Sequence, residues 1–192
     1  MTPLNEQAYN YLQKLIMENH FSYQEVYSET KLSKELGISR TPLRDAVHRL
    51  AQEGYIDIIP SKGFMLHQMN RKDVNETFQV RSALETYCTV QISKASSTRK
   101  AKKLFKELDW IMECMNDIME TTHSIKEFSE YDFQFHTKII DYLENEQFSN
   151  VFAMFMYRMK RLAELSLAHK GRMEQTYKEH MAILNCMKNG DT

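Results

Sequence analysis

Ser39-Arg40-Thr41-Pro42-Leu43-Arg44 sets two guanidinium groups one helical turn apart, with two hydroxyls beside them. A guanidinium forks onto phosphate or the edge of guanine, and short hydroxyls donate to the same acceptors. The stretch therefore carries the donors that a nucleic-acid reader needs, although exposed helices with two arginines are common. A second group is Asp132 with His136 at i, i+4, joined far along the chain by His180. One carboxylate and two imidazoles converging inside a helical bundle suit a divalent Zn, Mn or Ni ion. An Asp-x-x-x-His pair is weak by itself, because chance pairs are frequent. Arg81 is spaced to pair with Glu85 at i+4. No nucleophile–base pair accompanies these groups, which argues against an enzyme.

The elements that must position these residues follow from periodicity. Ala8, Leu12, Leu15 and Ile16 predict a first helix over about residues 4–19. A short helix over about 28–36 ends at Gly37, and Ser39 is a natural N-cap for the next. In that helix Leu43, Ala46, Val47 and Leu50 form the buried stripe, leaving Arg40, Thr41, Arg44 and His48 in the adjoining sector. Asp45 and Arg49 are spaced to pair. Tyr55–Ile59 and Phe64–His67 read as strands around the turn Pro60-Ser61-Lys62-Gly63, a hairpin of the size of a wing. Beyond residue 71, long amphipathic patterns cover about 71–94, 98–121, 125–143, 146–169 and 173–189. The fold class expected is mainly α: a winged helix-turn-helix over 1–68, then an all-α antiparallel bundle over 71–192. Met154, Met156 and Met159 among Phe152 and Phe155, like Trp110, read as core or dimer-surface filling.

Composition narrows the class. The 192 residues are 42% hydrophobic and 27% charged, with 5 Gly and 3 Pro, as in a folded helical protein. The net charge is -1, and residues 1–67 carry seven Lys and Arg against eight Asp and Glu. No bulk field draws the chain to nucleic acid, so any DNA contact rests on local placement. Cys88, Cys114 and Cys186 form neither a disulfide framework nor a zinc motif. The first residues lack a signal-peptide pattern, and no segment reaches the ~18 apolar residues of a membrane span. A cytoplasmic protein without a membrane partner is expected.

Two resemblances sharpen this reading. Residues 28–64 resemble the GntR-type winged helix-turn-helix of bacterial repressors, through Leu32-Ser33, the run from Leu36 to Ala46, Leu50, Glu53-Gly54-Tyr55-Ile56 and Lys62-Gly63. The resemblance implies DNA contacts at Ser39, Arg40, Thr41 and Arg44 on the recognition helix, with Lys62 and Gly63 on the wing. Thr30 departs from members that place a DNA-facing arginine there. Residues 71–191 resemble the FCD ligand-binding domain of the FadR-type branch, through Arg81 with Leu84-Glu85, Asp132-x-x-Phe135-His136, Glu179-His180 and Gly190-Asp191. In metal-binding members an Asp and three His hold an ion, and a small carboxylate effector often completes its coordination. Asp132, His136 and His180 match three of those positions, while the fourth would fall beyond Thr192. Spacing does not favour His123 or His169 as its substitute.

Together these imply a homodimeric transcriptional regulator, a repressor by expectation, bound to an inverted-repeat operator in double-stranded DNA. A small carboxylate in the helical domain would modulate that binding, with Arg81 a candidate contact. In the alternative reading the helical domain serves dimerisation alone.

Overall fold

The computed structural model describes residues 2–192, apart from the side chains of Met156 and Tyr157. The chain divides into two compact units between Asn70 and Arg71. The first holds α1 (Leu4–Met17), α2 (Glu29–Glu35), α3 (Arg40–Gln52) and the strands β1 (Ile56–Ile59) and β2 (Gly63–Leu66).

Leu43, Ala46, Val47 and Leu50 of α3 are all buried, and α3 packs on α1, whose buried residues are Ala8, Tyr9, Leu12 and Ile16. The short α2 is capped by Ser28, whose side chain accepts from the Lys31 N–H. It ends through Gly37 at φ 64, a left-handed turn that sends the chain straight into α3. Strands β1 and β2 pair antiparallel, Ile56 opposite Leu66 and Ile59 opposite Gly63. A bridge that periodicity does not reveal adds Tyr27 to this hairpin. Tyr27 N donates to Phe64 O at 2.7 Å, and Phe64 N donates to Tyr27 O at 3.0 Å. Arg49 corrects the expected pairing with Asp45: it lies 3.8 Å over the Tyr9 ring and binds Glu53 at 3.1 Å. The apolar face of Tyr9 and the nearer carboxylate outcompete the exposed aspartate.

The second unit comprises α4 (Arg71–Lys94), α5 (Arg99–Glu120), α6 (Ile125–Asp141), α7 (Glu146–Leu167) and α8 (Arg172–Asn189). Side-chain caps start three of these helices: Thr98 for α5, Ser124 for α6 and Asn145 for α7. Helix α6 packs against α4, α5 and α7, while α8 lies on α4 and α5. Phe128, Phe135, Ile139, Leu108, Met115 and Leu184 fill the core between them. The Met-aromatic stripe splits: Phe152 and Met159 are buried, Met154 faces outward, and the side chain of Met156 lies outside the described residues. Trp110 is also outside the core, 54% exposed and edge-on to Tyr131. Among the described residues no helix is long and apolar enough to cross a membrane.

Candidate functional site

The first helix turn of α3 presents its donors outward. Ser39, Arg40, Thr41, Arg44 and His48 are exposed, beside the buried stripe. Ser39 holds the N-cap position in extended conformation, yet its hydroxyl makes no capping bond, which leaves it free for an external acceptor. Among the described residues neither Arg40 nor Arg44 forms an ion pair. Lys62 is exposed in the turn of the wing, where its N–H bonds to Ile59 O at 3.0 Å. Gly63, beside it in the wing, also has a packing role. Its φ is +134, and an added Cβ would stand 2.0 Å from Tyr27 O. Glycine is required there by the close approach of two backbones.

In the helical unit, Asp132 and His136 of α6 meet His180 of α8, all three buried. His180 Nε2 lies 3.1 Å from Asp132 Oδ1 and 3.0 Å from His136 Nε2, and His136 Nε2 lies 3.8 Å from Asp132 Oδ1. A point equidistant from these three atoms is about 2 Å from each, the length of a Zn–N or Zn–O bond. The other ring nitrogens are held from behind. His180 Nδ1 donates to Thr176 O at 2.7 Å, a carbonyl that can only accept, so Nε2 turns to the cluster. His136 Nδ1 lies 3.0 Å from Glu85 Oε1, close enough for an ion pair but without hydrogen-bond geometry. The donor set and its backing fit a divalent cation. His123 and His169 sit exposed in loops, apart from the cluster.

Arg81 of α4 completes the arrangement in a way that sequence spacing half reveals. Its Nε donates to Glu85 Oε1 at 2.7 Å, the i, i+4 pair, while its Nη2 reaches across to His136 Nε2. A cation and this guanidinium therefore address the same nitrogen. Burial alone would raise the Glu85 carboxyl, but His136 and Arg81 outweigh it and hold the group at about 2. Burial would likewise raise Asp132, and its two histidines push it well below the usual carboxylate range. Burial and Arg81 disfavour charge on His136, yet Glu85 and Asp132 prevail and raise it, whereas burial wins at His180 and lowers it.

The cluster opens onto a cavity of about 270 Å³. Thr77 and Arg81 line it from α4, and Ser166 from α7. From α8 come Arg172 and Glu179, joined as a fork: Nη1 to Oε1 at 3.0 Å and Nη2 to Oε2 at 2.9 Å. Sequence reasoning missed Thr77, Ser166 and this fork. The spacing of Thr77, Arg81 and Glu85 at every fourth residue is the one signal that they share a helix face.

Comparison with known proteins places both units. Residues 4–66 match the family described as "Bacterial regulatory proteins, gntR family", and residues 76–192 match "FCD domain". The chain is 26% identical over 187 residues to the HTH-type transcriptional regulator YdhC of Bacillus subtilis, covering 97% of this chain and 82% of that protein. It is 26% identical over 165 residues to the gluconate operon transcriptional repressor of Bacillus licheniformis, covering 83% of this chain and 63% of the repressor. Among solved structures, Escherichia coli McbR/YncC shares the fold with a TM-score of 0.71 at 18% identity, over 100% of this chain and 89% of that one.

Proposed function

The chain belongs to the gntR family of bacterial regulatory proteins, in the branch that carries an FCD domain, and from that premise we propose a metabolite-responsive repressor. That it is a transcriptional regulator and not an enzyme follows from the family and its relatives. Our reading assigns operator binding to residues 1–68 and effector binding with dimerisation to 71–192. Arg40 and Arg44 would contact base edges or phosphates, Ser39 and Thr41 would donate to the backbone, and Lys62 would reach a phosphate. Gly63 would serve the wing by shape. Two such units in a homodimer would meet the half-sites of an inverted repeat.

The observation that carries the effector reading is the convergence of Asp132, His136, His180 and Arg81 on one buried cavity. Asp132, His136 and His180 would hold a divalent ion, which when bound supplies a Lewis-acid position for a carboxylate oxygen. Arg81 would then leave His136 Nε2 while its Nε stays on Glu85, turning Nη2 toward the same carboxylate. Effector and cation would thus be taken together. That a relative represses a gluconate operon supports an organic acid as the class. For the acid to regulate, it must bind the DNA-competent and incompetent states unequally.

The test selects an operator from random duplex DNA, then measures affinity with zinc and a panel of organic acids. A roughly 5–150-fold loss of affinity with zinc and one acid is expected. Unchanged affinity across the panel, with no ligand-induced thermal shift, favours a helical domain that only dimerises.

A further inference from the structure

From Thr77 to Ser93 the only charged residues of α4 are Arg81 and Glu85, and both turn to the cavity and bond to each other. What the helix shows to solvent there is Phe78, Gln79, Ser82, Ala83, Thr86 and Tyr87, all exposed and none charged. Charges resume at both ends, with Arg71, Lys72 and Glu76 before the run and Lys94 after it. Helix α5 is the contrast: over a similar length its exposed side carries Lys102, Lys103, Lys106, Glu113 and Asp117 around Trp110. An uncharged centre within a charged rim is the composition of a docking surface, since charges are costly to strip of water.

The face is continued by α7, which packs on α4. Tyr87 stands edge-on to Phe148 with ring centres 5.6 Å apart, and Val151, Met154 and Leu165 are exposed along the same helix as Phe148. Phe78 and Tyr87 are each 52% exposed, and half of an aromatic side chain is about 100 Å². With the α7 residues and the small ones between, the face amounts to roughly 600 Å², at the upper end of what monomers leave open. Each partner of a stable complex buries ~800 Å², so one such face on each of two chains comes close to what is needed.

The layout of the face selects its occupant. Ser82 and Ala83 lie midway between Phe78 and Tyr87, so the face is small at its centre and large at both ends. Two copies crossing there meet small side chain on small, which lets the helix axes approach closely, and the aromatics settle on either side of the crossing. Such a face complements itself under a twofold axis, the symmetry of an isologous dimer. We propose that α4, continued by α7, docks a second copy of this chain, α4 crossing α4 at Ser82 and Ala83. The inference rests on the homodimer reading above and names its surface. It makes α4 the common wall of cavity and interface, with Arg81 and Glu85 on one side and the second copy on the other.

Sedimentation of the full-length chain tests it, because a charge placed beside a twofold axis meets its own copy. The wild type should be dimeric at micromolar concentration. Ala83→Glu and Ala83→Lys should each weaken the dimer roughly a hundredfold or more, with helical content by circular dichroism unchanged. An equimolar mixture of the two variants should associate again. Trp110→Glu, at the exposed aromatic of α5, should stay dimeric. A dimer that persists in both Ala83 variants overturns the proposal and leaves the homodimer reading intact. So does a mixture that fails to associate when each variant alone is a folded monomer. Loss of helical content in both variants and in their mixture also overturns it, by showing that Ala83 packs within its own chain. A monomeric wild type overturns the surface, and one that is monomeric on its selected operator as well refutes the homodimer reading beneath it.

Discussion

Arg40 and Arg44, like Lys34 and Lys62, have no acidic partner within ion-pair distance among the described residues, unlike the other three Lys and Arg of the winged unit. Lys14 pairs with Glu18, Lys31 with Glu35 and Arg49 with Glu53. Arg40→Ala and Arg44→Ala should each weaken operator binding by about 1–3 kcal/mol where a base edge is lost. Each should leave the melting temperature near its wild-type value, because an exposed, unpaired side chain holds nothing in place. A gel-shift titration at two salt concentrations separates a base contact from a phosphate contact: only the latter lowers the salt slope. Gly63→Ala belongs to the opposite class. With Tyr27 O 2.0 Å from the new Cβ and φ at +134, backbone must move. We expect a loss of about 2 kcal/mol or more in urea unfolding, with weaker DNA binding as a consequence of the displaced wing.

At the scale of elements, Glu85 is the pin between α4 and α6. Its Oε1 takes Arg81 at 2.7 Å and faces His136 at 3.0 Å. A carboxyl held at about 2 in the folded chain and near 4.5 when unfolded contributes stability above the higher value and loses it as pH falls through the lower. The contribution is on the order of 3 kcal/mol. Glu85→Gln should therefore flatten the acid limb of the stability curve between pH about 4.5 and about 2, read by circular dichroism. The outlines of these helices were legible in the sequence, because Ser124 and Asn145 mark caps and glycine is absent from Arg71 to Lys170. So was half of the Arg81 site, the i, i+4 bond to Glu85. Its other half, the reach to His136, joins two helices far apart in sequence and leaves no periodic trace. Tyr27 escaped for a related reason: a single-residue bridge is too short to alternate.

At the scale of the whole molecule, the two units have separate cores, so a cation held by the second should be felt there first. At a hundredfold excess over its Kd an ion stabilises its site by about 2.7 kcal/mol. For a domain of this size that amounts to a rise in melting temperature of about 10 °C. Trp110, the only tryptophan, lies on α5 and makes fluorescence a reporter of the helical unit. The rise should vanish with chelator and in His136→Ala; its persistence in that variant would place the ion elsewhere. The near-balance of seven Lys and Arg against eight Asp and Glu over residues 1–67 has a consequence for how such a protein finds its target. A reader clothed in positive charge lingers on every stretch of duplex, and a genome offers ~10⁶ or more such decoys. Here most of the winged unit is electrically quiet, and attraction is confined to a few exposed donors. Random encounters should be brief, the protein should spend little time sliding, and few copies should suffice to keep an operator occupied.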